Sequence, residues 1–237
     1  MTSLARVDIS EAAAPLGWRL VLDSLISHVA VRSLAEAAQV AGVVTAAADD
    51  TGPVALSLDL RADGVTLSLA QPASARPTPA VLSQAALITD ALRAAELHLD
   101  PLADCPGGRS VQVVELAIDA LDIPAVRPFW RAVLAYEDDT VPDDPGAALV
   151  DPRHQGPPLW FQQMDTPRPQ RNRVHFDISV PREEAANRIE AALAAGGVLV
   201  GQHAPAFWVL ADPEGNEACV CTWQGRDSWD AAPDAEL

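Results

Sequence analysis

The sequence contains no lysine and only three cysteines, two methionines and one tyrosine. Its 16 basic residues are all arginines and stand against 33 acidic residues, which gives a formal net charge of −17. A surface this acidic repels phosphate backbones, which argues against a nucleic-acid partner. Cys105, Cys219 and Cys221 include no CxxC pair. An odd number of cysteines without that spacing predicts reduced thiols rather than a disulfide framework.

Long apolar runs are missing as well. No uninterrupted apolar stretch approaches the roughly 20 residues that cross a bilayer. The first ten residues also lack the basic start and apolar run of a secretion signal. We therefore expect a cytoplasmic protein without a membrane partner. Hydrophobic residues still make up 49% of the 237 residues and charged residues 21%, so the chain has enough apolar side chains to bury a core.

Breaks in composition divide the chain into two domains, as its length also suggests. The segment 101–108 contains two prolines and a Gly-Gly pair, which end any arriving helix before a new strand begins. We predict a first domain over residues 1–100, a linker over 101–108, a second domain over 109–225 and an acidic tail over 226–237.

Helix-start and alternation signals in the first domain predict the order α-β-β-α-β-β-α. Ser33 is a suitable N-cap for the central helix, and Thr78-Pro79 supplies a cap and a first-turn proline for the last one. Between them, leucines alternate with polar residues on both sides of Ala62-Asp63-Gly64, which predicts a hairpin.

The second domain shows one pattern twice. A predicted strand at 111–118 and a helix at 124–135 are followed by short strands. A strand at 173–180 and a helix from 181 to about 195 then begin the pattern again. Two tandem βαβββ units predict an internal repeat of roughly 60 residues, and the chain as a whole is predicted to be α+β.

Three predicted strands of the second domain each carry one side chain that can bind a metal ion: Glu115, His175 and Glu217. Residues two apart on a strand share a face, and this rule places His175 on the polar side, away from Phe176. Two carboxylates and an imidazole suit a divalent ion such as Fe, Mn, Ni, Co or Zn, with substrate or water in the open positions. The alternative is three solvated or ion-paired residues on an exposed sheet face.

Residues 111–223 resemble the glyoxalase-like members of the vicinal oxygen chelate superfamily. The most specific matches are Asn-Arg-Val-His-Phe-Asp at 172–177 and Asp-Pro-Glu-Gly-Asn-Glu at 212–217, and segment 125–136 stands where the family has a helix. The resemblance implies one sheet curled around a cavity, with metal ligands at the three positions named above. Where the enzymes of the superfamily most often have histidine, this chain has Glu115.

The resemblance implies that a bound metal chelates two neighbouring oxygens of a small-molecule substrate, as in a lyase, isomerase or dioxygenase. Glu217 is the candidate catalytic base. The candidate residues of the substrate pocket are Trp160, Gln162, Arg173 and Trp208. A metal-free protein that binds a hydrophobic or aromatic ligand is the alternative from a different functional class.

The first domain resembles pterin-4a-carbinolamine dehydratase in layout over residues 10–97. The resemblance rests on Gly17-Trp18 and on the segments 34–38 and 65–69. That family's active site depends on a His-His-Pro segment and a third histidine, whereas this chain has Asp-Thr-Gly-Pro at 50–53. We therefore predict a dehydratase-like fold without dehydratase activity, which serves in dimerisation or binding. A pterin-processing role with other residues is a further alternative, and an unpaired sheet edge in this domain suggests a homo-oligomer.

Overall fold

The structure is a computed structural model, and it describes residues 5–48, 52–71, 78–101, 110–139, 148–167, 174 and 176–224. The chain divides into two compact units, Met1–Val113 and Val114–Leu237, so the boundary falls shortly after the predicted linker. Most of that linker and all of the predicted tail lie outside the described residues. Both units contain helices and strands, which confirms the α+β fold class.

None of the helices in the described ranges is long and apolar enough to cross a membrane.

The N-terminal unit follows the predicted order of elements. Its helices are α1 Arg6–Ala13, α2 Leu34–Ala47 and α3 Pro79–Ala94, and its strands are β1 Arg19–Val21, β2 Ser24–Ala30, β3 Ala55–Leu60 and β4 Gly64–Ala70. The strands form one antiparallel sheet in the order β1-β2-β4-β3. This order alone does not establish the dehydratase arrangement, and that resemblance stays a prediction.

Local hydrogen bonds explain where the helices of this unit begin. The Ser33 hydroxyl accepts a hydrogen bond from the Glu36 N–H at 3.2 Å, so α2 has the predicted N-cap. Pro79 stands in the first turn of α3, where its missing N–H is not needed. The prediction that Thr78 caps α3 is wrong, because its hydroxyl donates to the Gln71 side chain instead.

A buried tryptophan anchors the core of the N-terminal unit. Trp18 is fully buried, and its indole N–H donates to the Thr89 hydroxyl of α3 at 2.9 Å. The Thr89 hydroxyl also lies within hydrogen-bond distance of the Ala85 carbonyl, at 2.8 Å. The buried indole N–H therefore has a hydrogen-bond partner, as buried polar groups generally require.

The C-terminal unit contains the predicted tandem repeat. The first repeat is β5 Leu116–Ala120, α4 Ile123–Leu134, β6 Glu137–Asp138, β7 Leu149–Val150 and β8 Leu159–Gln163. The second repeat is β9 Asp177–Ser179, α5 Arg182–Ala194, β10 Val198–His203, β11 Phe207–Ala211 and β12 Glu217–Cys221. Each repeat forms a four-stranded sheet in which its first and last strands pair in parallel, in the orders β5-β8-β7-β6 and β9-β12-β11-β10.

The resemblance implied one curled sheet, but the described residues form two separate sheets. A continuous sheet requires a ladder between strands of different repeats, and the described strands pair only within their own repeat. The two sheets nevertheless share one apolar core with α4 and α5. The opposite faces of both sheets therefore point away from the helices.

Aromatic side chains of α4 fill much of this shared core. Phe129 and Trp130 are fully buried, with ring centroids 5.4 Å apart in an edge-to-face arrangement. Trp130 also meets Phe176 at 5.2 Å. On α5 the buried residues are only Ala185 and Ala192, so the second repeat contributes smaller side chains to the same core.

The turn between β11 and β12 joins the two repeats through a buried carboxylate. Asp212 is 2% exposed and accepts a hydrogen bond from the indole N–H of Trp130 at 2.9 Å. It also accepts from the backbone N–H groups of Glu214 and Asn216, each at 2.9 Å. A buried carboxylate needs such hydrogen bonds, because the free-energy penalty of burying it unpaired is far larger than the stabilisation from the hydrogen bonds.

A second carboxylate of this turn reaches the first repeat. The Glu214 side chain accepts from the backbone N–H of Leu121 at 2.9 Å and from that of Asp122 at 2.7 Å. Asp122 in turn caps α4 by accepting from the Ala125 N–H at 3.1 Å. The segment 212–217 therefore has a structural role, because it holds the start of α4 against the second sheet.

We expect Asp212→Ala to destabilise the C-terminal unit by about 3 kcal/mol, because it leaves the buried indole N–H and two backbone N–H groups without an acceptor. Urea unfolding followed by circular dichroism measures the change. Asp165→Ala removes an exposed carboxylate of the same unit and serves as the control, with an expected change within about 0.5 kcal/mol. Equal effects of the two substitutions would show that the Asp212 network does not hold the repeats together.

Candidate functional site

The first sheet presents polar and aromatic side chains on the face away from the helices. Ile118 and Phe161 are paired across β5 and β8 and are buried in the core. The neighbouring pairs, Ala117 with Trp160 and Asp119 with Gln162, therefore point to the other side. Trp160 is 37% exposed, which leaves part of its ring available to a ligand.

Glu115 lies immediately before this sheet. The predicted strand began at Val111, whereas β5 begins at Leu116, where its N–H donates to the Pro158 carbonyl at 2.9 Å. Residues 111–115 have no strand assignment, and the Glu115 side chain is exposed. The alternating pattern forms a strand only from Leu116 onward, because β8 supplies a pairing partner only for those residues.

The second sheet carries the other candidate carboxylate. Cys219 pairs with Asp177 and Cys221 with Ser179 across β12 and β9. By alternation Glu217 lies on the same face of β12 as the two cysteines. Glu217 is half-buried, and both cysteines are buried. This face therefore combines carboxylates with two thiols.

The thiol of Cys219 is held in its neutral form. Burial is the main cause that raises its pKa to about 12, and the neighbouring Asp177 carboxylate contributes by repulsion and by hydrogen bonding to the protonated thiol. Cys221 and Glu217 add smaller repulsive contributions. A thiolate is the form that binds metals and attacks electrophiles. Cys219 therefore carries very little thiolate near neutral pH.

The predicted metal ligands are only partly within the described residues. Glu115 and Glu217 are described, whereas His175 lies outside the described residues, as does Arg173 of the predicted pocket. Among the residues that the structure describes, no group of three or more His, Cys, Asp or Glu side chains could hold a metal ion. The described carboxylates alone therefore do not form the predicted centre.

The described pocket candidates do not all share one face. Trp160 and Gln162 lie on the outer face of the first sheet, where the sequence placed them together. Trp208 pairs with Val220, which is buried in the helical core, so it lies on the opposite face of β11 and β12 from Glu217. Its neighbour Phe207 pairs with Cys221 and shares the face of Glu217. The pocket prediction named Trp208, whereas its neighbour Phe207 is the aromatic that shares the face of Glu217.

Two carboxylates on the outer faces were not chosen as site residues. Asp119 lies two residues beyond Ala117 on β5, and Asp177 lies opposite Cys219 on β9. Counting by twos from Glu115 along the first strand would have reached Asp119. Because strand carboxylates are common on solvated faces, this signal alone could not mark it as functional.

In the N-terminal unit, the segment that replaces the dehydratase histidines is described only in part. Asp50 and Thr51 lie outside the described residues, and Gly52 and Pro53 are exposed. The prediction of lost dehydratase activity therefore still rests on the residue types alone.

Comparison with known proteins identifies a family for part of the chain. The family model described as a glyoxalase-like domain matches residues 115–221. Residues 115–221 therefore match a glyoxalase-like domain, as the sequence resemblance implied. Nothing in these comparisons supports the dehydratase resemblance of the N-terminal half. No curated protein matches the chain.

Solved structures similar to this chain include the fosfomycin resistance protein FosX from Listeria monocytogenes, at 11% identity over 54% of this chain and 100% of that chain, with a TM-score of 0.40. A glyoxalase-related enzyme from Fulvimarina pelagi is 18% identical over 47% of this chain and 87% of its own, with a TM-score of 0.37. A glyoxalase/bleomycin resistance protein/dioxygenase from Alicyclobacillus acidocaldarius is also 18% identical, over 49% of this chain and 94% of its own, with a TM-score of 0.37. The Listeria FosX has also been solved in complex with Mn(II).

We expect Cys219 of the folded protein to resist iodoacetamide at pH 8, because its pKa of about 12 leaves very little thiolate. The rate should be at least about 100-fold below that in the urea-unfolded chain, whose thiol has an ordinary pKa. The background is Cys105→Ser, and peptide mass spectrometry reports the modified position. Because the folded pKa is raised, the stabilising contribution of the neutral thiol is complete below pH 9 and is lost as the pH rises towards 12. Equal labelling of folded and unfolded chains would contradict the assignment.

Proposed function

We propose that the C-terminal unit binds a small molecule with two neighbouring oxygen atoms and acts on it as a metal-dependent lyase, isomerase or dioxygenase. The proposed ligands of the divalent metal, which is Fe, Mn, Ni, Co or Zn, are Glu115, His175 and Glu217. The proposal rests on the matching strand registers of the two repeats.

Glu115 and His175 stand at equivalent positions of the two repeats. Ile118 of β5 and Ile178 of β9 each face the core and each pair with the last strand of their own repeat. Three residues before these isoleucines are Glu115 and His175. Two metal-competent side chains at one repeated position favour a shared site over two unrelated polar residues.

The pairing of β9 with β12 supports a place for Glu217 in the same site. Cys219 pairs with Asp177, and the Cys219 N–H donates to the Phe176 carbonyl at 2.8 Å. Two residues earlier on both strands, the same register would set Glu217 opposite position 175. Neighbouring strands are about 4.8 Å apart, so side chains on one face at opposed positions are close enough to share an ion.

The chemistry of the donor set is compatible with a divalent ion, but it is incomplete without the imidazole. Carboxylate oxygens suit hard and borderline ions, and catalytic centres normally use three protein ligands. The described residues supply two of them, Glu115 and Glu217, and include no complete group. The fit therefore depends on His175. When bound, the metal would supply Lewis-acid polarisation of the substrate oxygens.

Other residues on the same faces would bind and orient the substrate. Trp160 offers a partly exposed aromatic surface, and Gln162 beside it offers an amide donor and acceptor. Glu217 is half-buried on β12 and is the carboxylate proposed to accept a proton from the substrate. Arg173 is proposed to pair with an anionic group of the substrate.

A second candidate function is metal-free binding of an aromatic or hydrophobic molecule. It is favoured by the exposed part of Trp160, which offers an aromatic surface to such a molecule. In this case the carboxylates would be solvated residues at the edge of a binding surface and would not bind an ion. The metal content of the protein separates the two functions.

We expect the full chain, purified without a tag or chelator, to contain one divalent ion per chain by elemental analysis. His175→Ala and Glu217→Ala should each abolish this content, because each removes one of three ligands. Glu137→Ala removes an exposed carboxylate of β6 and should leave it unchanged. A metal-free parent would leave the binding function only, and equal loss in all three variants would show that the ion is bound nonspecifically.

We also expect small molecules with vicinal oxygens to raise the unfolding temperature only when the metal is present. A ligand at about 100 times its dissociation constant stabilises the folded state by roughly 2.7 kcal/mol, which a thermal-shift screen detects. Apo protein and Glu217→Ala protein in the same screen are the controls. Stabilisation that is the same without metal would instead support the metal-free binding function.

A further inference from the structure

The edge of the second sheet is unusually apolar for an exposed strand. In β10, Val198, Leu199 and Val200 are 53%, 45% and 52% exposed. Within the described residues β10 pairs on one side only, with β11. A long unpaired edge with consecutive large apolar side chains is a site for pairing with another strand, and proteins normally blunt such edges.

An apolar groove adjoins this edge. It has a volume of about 710 Å³ and is lined by one side of α5, including Ile189 and Leu193, and by Trp208 of β11. Leu193 is 39% exposed. Leu199 pairs with Leu210, which lies on the same face of β11 as Trp208. Leu199 of the β10 edge and Trp208 of the groove therefore lie on the same face of the second sheet.

The corresponding edge of the first repeat is protected. Its outer strand β6 has only two residues, both acidic, and Asp138 pairs with Arg127 at 2.8 Å. The edges of the N-terminal sheet are also blunted, since β1 has three residues and β3 presents Asp59 in an ion pair with Arg61 at 2.9 Å. A bulge at Val200 interrupts β10, but the bulged residue is an exposed valine rather than a charge. Of these edges, β10 is the one without a charge or a short length to block pairing.

We propose that β10 pairs antiparallel with β10 of a second copy of this chain, about a two-fold axis, and that the two α5 grooves close against each other. An antiparallel edge is self-complementary under two-fold symmetry, because each strand offers the same pattern of N–H and carbonyl groups to its partner. The partner is a second copy of this chain, because the charged residues around the groove are complementary to those of such a copy.

Charge supports this partner in two ways. The chain carries −17, so two copies repel except where a surface has no carboxylates, and β10 contains no charged residue. At the groove, Arg182 and Glu190 lie eight residues apart on α5. A two-fold axis that sets the two β10 strands antiparallel acts on the whole chain, so it also reverses the direction of α5. Arg182 of one copy would then face Glu190 of the other, twice per dimer.

Light scattering and sedimentation of the full chain test the proposal, and we expect the mass of a dimer. Val200→Lys places a charge on the exposed edge and should reduce the mass to that of a monomer. Glu137→Lys makes a matched change on the equivalent edge β6 and should leave the dimer intact. A parent that is monomeric at all concentrations, or a dimer that survives Val200→Lys, overturns the proposal.

Charge exchange provides a second measurement that does not alter the strand. Arg182→Glu and Glu190→Arg should each weaken the dimer about tenfold, because the two-fold repeats each like-charge contact. The double variant should recover the parental dimer constant. Circular dichroism checks that each variant is folded. Single variants without effect, or a double variant weaker than both, would show that the two helices do not face each other.

Discussion

The arrangement of the C-terminal unit depends on one buried charge, the carboxylate of Asp212. It is almost inaccessible to solvent, and its partners come from the turn itself and from the indole of Trp130 in the other repeat. Because a buried carboxylate is tolerable only with these donors in place, the turn and α4 must adopt one relative position. Strand β12 starts directly after this turn, and the position of Glu217 at its first residue follows from the same constraint.

This constraint also shapes the electrostatics of the outer face. The face of β12 that does not meet the helices carries Glu217 and two thiols, and Asp177 lies opposite Cys219. The pKa of Cys219 is raised mainly by burial, and repulsion by Asp177 adds to the shift. Burial disfavours a charge of either sign, so a charged ligand on this face needs an oppositely charged partner.

The sequence predicted the parts that depend on periodicity and missed those that depend on pairing. The two βαβββ repeats and the shared face of Glu217, Cys219 and Cys221 follow from alternation, and the structure has them. The strand predicted from Val111 starts only at Leu116, because a strand needs a partner as well as a pattern. Trp208 lies towards the helices because it pairs with Val220, which faces them. Alternation alone divides the residues of a strand between two faces, but it does not tell which face meets the core. A metal centre depends on more than period and pairing, since three side chains must also converge in space.

The two repeats have the same topology but contribute unequally to the shared core. The first repeat supplies the bulky core residues of α4 and a short acidic edge, whereas α5 buries two alanines and leaves its apolar side beside an exposed strand. Because α4 supplies most of the bulky side chains of the core, the apolar side of α5 is not needed there and is available for association. Trp208 and Glu217 lie on opposite faces of the same sheet, so pairing through β10 and the α5 groove would extend that sheet without covering the face of Glu217. Assembly and ligand binding would then occupy different sides of one domain, and a substitution at one surface should leave the other intact.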